Sequence, residues 1–433
     1  MRINLKFNTW TWVIVFIGFA FPIQVILNNE LFGLTGYVLF FLLVMVKLYS
    51  SSLRFRVLGF NAVDFGVFYY VLHFAAHAIY QLFFGIVSIS DLIRQMMIYL
   101  LPVFFYFYFS RIARLSDFDA VLKGLIVVGL VSSLYVIYDT ILRFIFDRVD
   151  PYQIMALDYS AVKANVSYIS KETMNVARIS PGFPTFGLMA KHSVSTAWIG
   201  IAGFVLMRFF ENSLLKRNQV ILVIFFVLLL HMYVTAIIIF GVTVAIVELG
   251  VVEKFIRRKM DLTVLALFLI LFVISAVSTI FFPSQISDGI AENMAVIPAL
   301  LFGDSSQSYS GFLGSTFSLL IDPFVWVFGS GYTNQEILAR GGDIGFFDST
   351  VIYGAFYWIV LIWVLYKGIY ASMNHQKILF NVLFFMLFMD AHYSVWTDKS
   401  LLVVFFIFLG LFRQWKYIEL NGIEFRKVSE QRS

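Results

Sequence analysis

Apolar runs of about twenty residues recur from one end of this 433-residue chain to the other. Each is close to the roughly 20 residues that a helix needs to cross a hydrocarbon core about 30 Å thick. "WTWVIVFIGFAFPIQVIL" near the start and "STVIYGAFYWIVLIWVLYK" further along are two examples. A bilayer core offers no water to backbone N–H and C=O groups, so a run of this kind folds as a helix that satisfies them internally. A membrane β-barrel would show segments of about ten residues in strict alternation, and no such pattern occurs. Charged residues make up only 13% of the chain and hydrophobic ones 61%, with a mean hydropathy of +0.87. That is too little charge to coat a soluble globule of this size. The reading is an all-α polytopic membrane protein, with residues 1–433 as a single integral membrane domain.

The runs predict twelve transmembrane helices, over 10–28, 31–48, 61–85, 92–110, 118–146, 184–208, 219–233, 235–250, 262–282, 349–367, 377–394 and 399–413. The first begins after a basic stretch like that of a signal peptide. It is long and lacks an A-x-A cleavage pattern, so it is expected to be an uncleaved span. With both termini placed in the cytoplasm, the inner segments hold 21 of the 31 Lys and Arg residues and the outer ones six. This bias fits the positive-inside rule. Residues 219–250 are expected to cross twice, turning near His231 to Thr235, because a single crossing would throw "EKFIRRK" outside. The cations are scattered over short loops rather than gathered on one face, which gives no nucleic-acid signal. Cysteine is absent, so disulfides and thiol chemistry are excluded.

Two outer segments are long, about 147–183 and 283–348, and neither is low-complexity. Loops of such length are usually functional or disordered. The second contains "AVIPALLFG" and "FLGSTFSLLIDPFVWVFGSGY", expected to form amphipathic helices on or in the outer leaflet. Its end reads "LARGGDIGFFDSTVIYGAFYWIVLI", which places Arg340, Asp343 and Asp348 at the approach to a span. Arg340 is the only Lys or Arg between 283 and 348, among seven acids. A salt-bridged or interfacial arginine is one reading. The other begins from the first long segment, where "NVARISPGFPTFGLMAKHS" supplies Arg178 before a Pro/Gly-rich turn, with Lys191 and His192 following. Both segments deliver guanidinium groups to one membrane face, and arginine suits bidentate phosphate recognition. Such a pair can neutralise a departing diphosphate where no metal does so. Neither segment has a carboxylate cluster with metal-site spacing, so no metal and no cofactor are expected. Asp348 is then the candidate general base, with Asp343 the second carboxylate.

"ARISPGFPTFGLMA" (177–190), "LLIDPFVWVFGSGY" (319–332) and "GFFDSTVIYGAFY" (345–357) together resemble the motifs of Wzy-type O-antigen polymerases, in the wider family that includes the O-antigen ligases. The likeness covers nearly the whole length as architecture. It implies a GT-C-like membrane fold and a metal-independent glycosyltransferase of the bacterial inner membrane, with both termini cytoplasmic. The implied reaction polymerises undecaprenyl-pyrophosphate-linked oligosaccharide repeats into O-antigen or another surface polysaccharide at the outer face. The implied partners are that lipid-linked glycan, membrane lipid and a chain-length regulator protein. The arginines matching Arg178 and Arg340 would engage the pyrophosphate, with Lys191 beside them. Relatives often carry a further arginine before the Gly-x-Gly turn, where this chain has Phe312 and its neighbours. Ligases carry a histidine in the second long loop, and here none lies between His231 and His375. That favours polymerase over ligase. A flippase or secondary transporter is the rival outside enzymes, but it would show two related halves and short loops.

Other polar residues fall in or beside spans. Ionisable residues there are functional candidates by default. His73 and His77 are four apart on one helical face and are expected to make interhelical hydrogen bonds. Lys191 lies just inside the outer interface, where a snorkelling lysine is the alternative. The hairpin "MDAHYSVWTDKS" brings His392 and Trp396 to the outer face, and with Tyr353 they are candidate sugar contacts. An interfacial anchor is equally consistent with that hairpin. Asp64, Asp91 and Arg94 are expected to form structural pairs or boundaries.

Overall fold

The central helix is α4, Leu115–Phe144, thirty residues long, and it packs between α1, Thr9–Leu27, and α5, His192–Phe209. The computed structural model describes residues 8–28, part of 42–49, 62–83, 89–156, 185–189, 192–210, 213–231 and 234–244. It also describes 326, 327, 329, 349–350, 352–362, 377–389 and 398–413. The remaining helices are α2 (Ala62–Phe83), α3 (Ile89–Arg111), α6 (Leu214–Leu230), α7 (Val234–Thr243) and α8 (Lys377–Met389). Helical stretches over 355–362 and 399–413 complete the set. No strand occurs among the described residues.

Small residues set how closely the helices approach. A Cβ at Gly129 of α4 would stand 2.1 Å from that of Ala202 in α5, so glycine there lets the two backbones come together as small residues do in membrane bundles. The other face of α4 meets α1, where Thr11 Oγ1 donates to the Ala120 carbonyl at 3.0 Å. Asn8 caps α1 by accepting from Trp10 N at 2.9 Å and Thr11 N at 3.3 Å. This satisfies donors left open at any helix start.

Polar ties gather helix termini at one end of the bundle. Trp10 Nε1 donates to Tyr108 Oη at 3.3 Å, and Tyr108 donates to Asp117 at 3.2 Å, joining α1, α3 and α4. Asp64, 4% exposed, accepts from Tyr106 Oη at 2.7 Å and from Arg413 Nε at 3.1 Å, with Arg111 3.6 Å away. The expectation of a structural pair at Asp64 holds, and a carboxylate so buried needs those cations. α1 and α2 start at the same end of the bundle.

The turn expected within 219–250 falls in the described part. α6 ends at Leu230, with His231 as its cap, and α7 starts at Val234. Phe225 and Phe240 rings meet at 5.2 Å, whereas one straight helix would hold them roughly 22 Å apart. The two helices therefore lie antiparallel.

Two expected spans begin differently. The run from 184 opens on a buried turn over 187–189, in which Gly187 has φ +71°, ahead of the helix His192–Phe209. The run from 349 is interrupted at Gly354, φ +56°. Positive φ removes these residues from the helical region, and glycine adopts it without steric cost. The expected span 262–282, and most of 31–48 and of the two long outer segments, lie outside the described residues.

The helices Thr9–Leu27 and Ser116–Phe144 are long and apolar enough to cross a membrane; Ser193–Phe209 and Ile378–Leu387 are apolar but shorter. Along α2, Phe65, Phe68, Leu72, Ile79 and Phe83 are all exposed. Their three-, four- and seven-residue spacing makes one stripe about 27 Å long. Leu130, Leu134, Tyr138 and Ile141 repeat the pattern on α4, as do Leu222, Phe226 and Leu229 on α6. Exposed apolar surface of this extent marks a membrane or partner interface rather than water.

Candidate functional site

At the end of the bundle opposite Asp64, α4 carries a buried polar stripe. Tyr135, Asp139 and Arg143 are spaced four apart and so lie on one face. Asp139 and Arg143 form an ion pair, Nε to Oδ2 at 2.9 Å, with both side chains 0% exposed. Asp139 Oδ1 has no hydrogen-bond partner among the described residues. One turn earlier, Tyr135 Oη donates to Asp150 Oδ2 at 2.7 Å and accepts from Gln153 Nε2 at 3.0 Å.

The same Gln153 amide donates to the Gly187 carbonyl at 2.8 Å, and Tyr152 Oη donates to the Leu188 carbonyl at 2.5 Å. Burial raises the Tyr152 phenol above its ordinary pKa, and the Asp150 carboxylate adds to the effect, so the hydroxyl stays a donor. Asp150 in turn caps the short helix 151–156, accepting from Tyr152 N at 3.2 Å.

The turn over 187–189 belongs to "ARISPGFPTFGLMA". It is non-helical backbone enclosed by protein, so its polar groups must find partners there. Thr185 Oγ1 accepts from Gly187 N at 3.1 Å, and Ser195 Oγ donates to the Phe186 carbonyl and accepts from Met189 N, both at 3.2 Å. Thr196 Oγ1 pairs with His231 Nδ1 at 2.9 Å. A Cβ at Gly187 would lie 2.5 Å from Ser195 Oγ and 3.1 Å from His231 Nε2. The site is thus a bent chain held by α4, α5 and the C-terminus of α6.

The second and third motifs meet each other. A Cβ at Gly354 would be 2.6 Å from Gly329 N, and one at Gly329 would be 2.5 Å from the Ile352 carbonyl. Tyr69 Oη of α2 donates to the Val327 carbonyl, and the Trp326 and Trp358 rings stack at 6.2 Å. Tyr353 is buried, its ring stacked on Tyr70 at 6.0 Å and tilted against Phe356 at 6.3 Å. His73 and His77 meet edge to face at 4.5 Å, as their spacing on one face predicts.

Arg178, Lys191, Arg340, Asp343, Asp348, His392 and Trp396 lie outside the described residues. Of the candidate site residues, the structure places Tyr353 alone. Tyr135, Asp139, Arg143, Asp150, Gln153 and His231 are not among the candidate site residues that the sequence offers. The signal was present: an acid and a base four residues apart in an apolar run read as a buried pair.

Fold and site together define an all-helical bundle with apolar outer stripes and a buried charged network at one end. No family model matches this chain, and no curated protein matches it in sequence.

Proposed function

We propose that the chain is a twelve-span, GT-C-like membrane glycosyltransferase of the bacterial inner membrane, with both termini cytoplasmic. In this reading it polymerises undecaprenyl-pyrophosphate-linked oligosaccharide repeats at the outer face. The observation that carries this reading is the buried bend at 185–189, braced by Tyr152, Ser195 and the Tyr135–Gln153 network. Irregular backbone at membrane depth is tolerated only where protein buries it or it lines a cavity, and ionisable groups there are functional candidates. The bend falls within the motif that carries the resemblance to polymerases. The exposed stripes on α2, α4 and α6 support the membrane setting.

Arg178 and Arg340, with Lys191, would hold the pyrophosphate. The acceptor hydroxyl oxygen bonds to the anomeric carbon of the donor while its proton passes to Asp348. The bond from that carbon to the diphosphate oxygen breaks, and the electron pair leaves with the diphosphate, which the guanidinium groups stabilise. Asp343 lies five residues before Asp348 and is the second carboxylate of this reading. His392, Trp396 and Tyr353 are its proposed sugar contacts, and a chain-length regulator its proposed protein partner.

The test uses the full chain in proteoliposomes with a lipid-linked repeat unit, scored by product length. Arg178→Lys and Arg340→Lys keep the charge but lose the planar fork, so each is expected to fall nearly as far as the alanine variant. A hydrogen bond to a charged group is worth about 1.5–3 kcal/mol, roughly 10- to 150-fold in rate if expressed wholly in the barrier. Asp348→Asn is expected to abolish extension beyond a single repeat at normal membrane level. Unchanged product length for both Arg340→Ala and Asp348→Asn would remove the site assignment.

A further inference from the structure

Three helices share a level at the Asp64 end of the bundle and act as rulers of depth. Arg111 of α3 and Arg413 of the helix over 399–413 both reach Asp64 of α2, at 3.6 and 3.1 Å. At 1.5 Å per residue, Tyr70 stands about 9 Å above that level and Phe406 about 10 Å. Their rings meet at 5.3 Å. Phe74 and Tyr99 stand about 15 and 18 Å above it, and their rings meet at 5.1 Å. Separate stretches of chain thus keep one count. Phe83 falls about 28 Å up, close to the ~30 Å of a hydrocarbon core.

On this scale, residues 326–329 lie deep. Tyr69, about 8 Å above the Asp64 level, donates its hydroxyl to the Val327 carbonyl. Helical side chains lean toward the helix N-terminus, here the Asp64 end, which keeps the phenol low. The interrupted helix agrees: a Cβ at Gly66 would lie 3.6 Å from Ile359, and Tyr353 stacks on Tyr70. The helical residues 326–327, the positive-φ Gly329 and the break at Gly354 therefore sit in the half of the membrane nearest Asp64. With that end cytoplasmic, a stretch expected in an outer segment reaches the inner half. Val327 is 46% exposed and Gly329 half-buried, so protein does not seal this turn. Irregular backbone at such depth is tolerated only inside protein or beside a water-filled cavity.

α2 supplies a wall for that cavity. Tyr69, His73, His77 and Tyr80 follow at intervals of four, four and three, a stripe about 16 Å long rising away from Val327. Tyr69 and His73 stack at 6.1 Å, and His73 meets His77 at 4.5 Å. The exposed apolar stripe through Phe68 and Leu72 runs beside it on the same helix.

We propose that Tyr69, His73, His77 and Tyr80, with Trp326 and Trp358 at the foot, wall a water-filled crevice that holds the glycan of the lipid-linked substrate. Aromatic faces interleaved with a few hydrogen-bonding groups suit a ligand made of rings and hydroxyls. α2 carries no Lys or Arg, so the diphosphate is not its ligand. A prenyl chain offers no partner to two imidazoles and two phenols. The glycan assignment rests on the polymerase reading above; the crevice itself does not.

The chain has no cysteine, which allows single reporter thiols in the full-length protein. Val327→Cys and Phe68→Cys stand at similar depth, one at the foot of the crevice and one on the apolar stripe. A membrane-impermeant maleimide added at the outer face is expected to label the first and spare the second. Should Val327→Cys fail to accumulate, Trp326→Cys takes its place. Equal labelling of the two positions, or none at the crevice position, overturns the crevice. The lipid-linked repeat unit is expected to slow labelling at position 327, and undecaprenyl diphosphate without sugars is not. Slowing by both alike overturns the glycan assignment in favour of the lipid. His73→Phe with His77→Phe keeps the aromatic bodies and removes the ring nitrogens. That pair is expected to raise KM for the repeat unit roughly tenfold, the order for loss of one or two neutral hydrogen bonds, with the maximal rate retained. An unchanged KM in a polymerising protein overturns the role of the imidazoles. Labelling without protection in a chain that polymerises overturns the glycan site alone. In a chain that does not polymerise, the same result leaves the crevice standing and removes the glycan together with the polymerase reading.

Discussion

Asp139 and Arg143 show how a single pair constrains this bundle. Both side chains are fully buried and the geometry is close, 2.9 Å. Removing one partner strands the other charge, which typically costs about 3–5 kcal/mol, whereas an apolar replacement of both is often near neutral. Asp139→Leu alone is expected to lower the unfolding temperature in detergent strongly, and Asp139→Leu with Arg143→Met much less. Equal losses from the single and double variants would contradict the pair. Asp64 is the counterpart at the other end, since Asp64→Ala leaves Arg111 and Arg413 facing a buried gap. At Gly187 the constraint is conformational. Alanine there meets φ +71° and a Cβ 2.5 Å from Ser195 Oγ, and the left-handed backbone alone costs about 1–2 kcal/mol. Gly187→Ala is expected to melt earlier and to lose activity further than its stability change explains; a full-activity variant with an unchanged melting temperature would refute the need for glycine at this bend.

At the scale of elements, α4 depends on close approach. Gly129→Val places two methyl groups where Ala202 already stands, a Cβ separation of 2.1 Å before any movement. Overpacking of this kind typically costs about 1–3 kcal/mol, and here the backbone of α5 must shift too. The expected outcome is poor accumulation in the membrane, partly restored by Ala202→Gly in the same chain. No restoration would mean that the α4–α5 contact is not what glycine serves. The bends at Gly187 and Gly354 divide two expected spans for a shared reason. Hydropathy registers the apolar run and is blind to the φ of a glycine within it.

For the molecule as a whole, the cation bias and the exposed stripes lead to separate measurements. Cysteine at Ser213, before α6, is expected to label from the cytoplasmic side only, and cysteine at Ser310 from the outside only. The reverse pattern would invert the topology and remove the function with it. Phe68, Leu72 and Ile79 are exposed on α2. A photoreactive probe confined to the bilayer core is expected to label cysteines placed there and to miss one at Val67, which is 1% exposed. Uniform labelling would argue against a lipid-facing stripe.

The helical character of the chain was legible in its sequence because a long apolar run has few ways to satisfy its backbone, and helix is the local one. α1, α2, α3 and α4 lie within a few residues of where hydropathy placed them, and the chain reverses between α6 and α7 near the turn read from the charges of "EKFIRRK". The motif around Gly187 was also visible, since Pro and Gly beside an arginine announce a break. What binds that motif was not. Tyr135, Gln153, Ser195 and His231 come from four separate stretches and converge only when α4, α5 and α6 pack side by side. Hydrogen bonds and ion pairs at 2.5–3.2 Å are properties of that packing. Hydrophobic patterning determines which segments are helices; the partners of buried polar groups are decided by which helices become neighbours, because a donor in an apolar interior must find whatever acceptor the fold brings within reach.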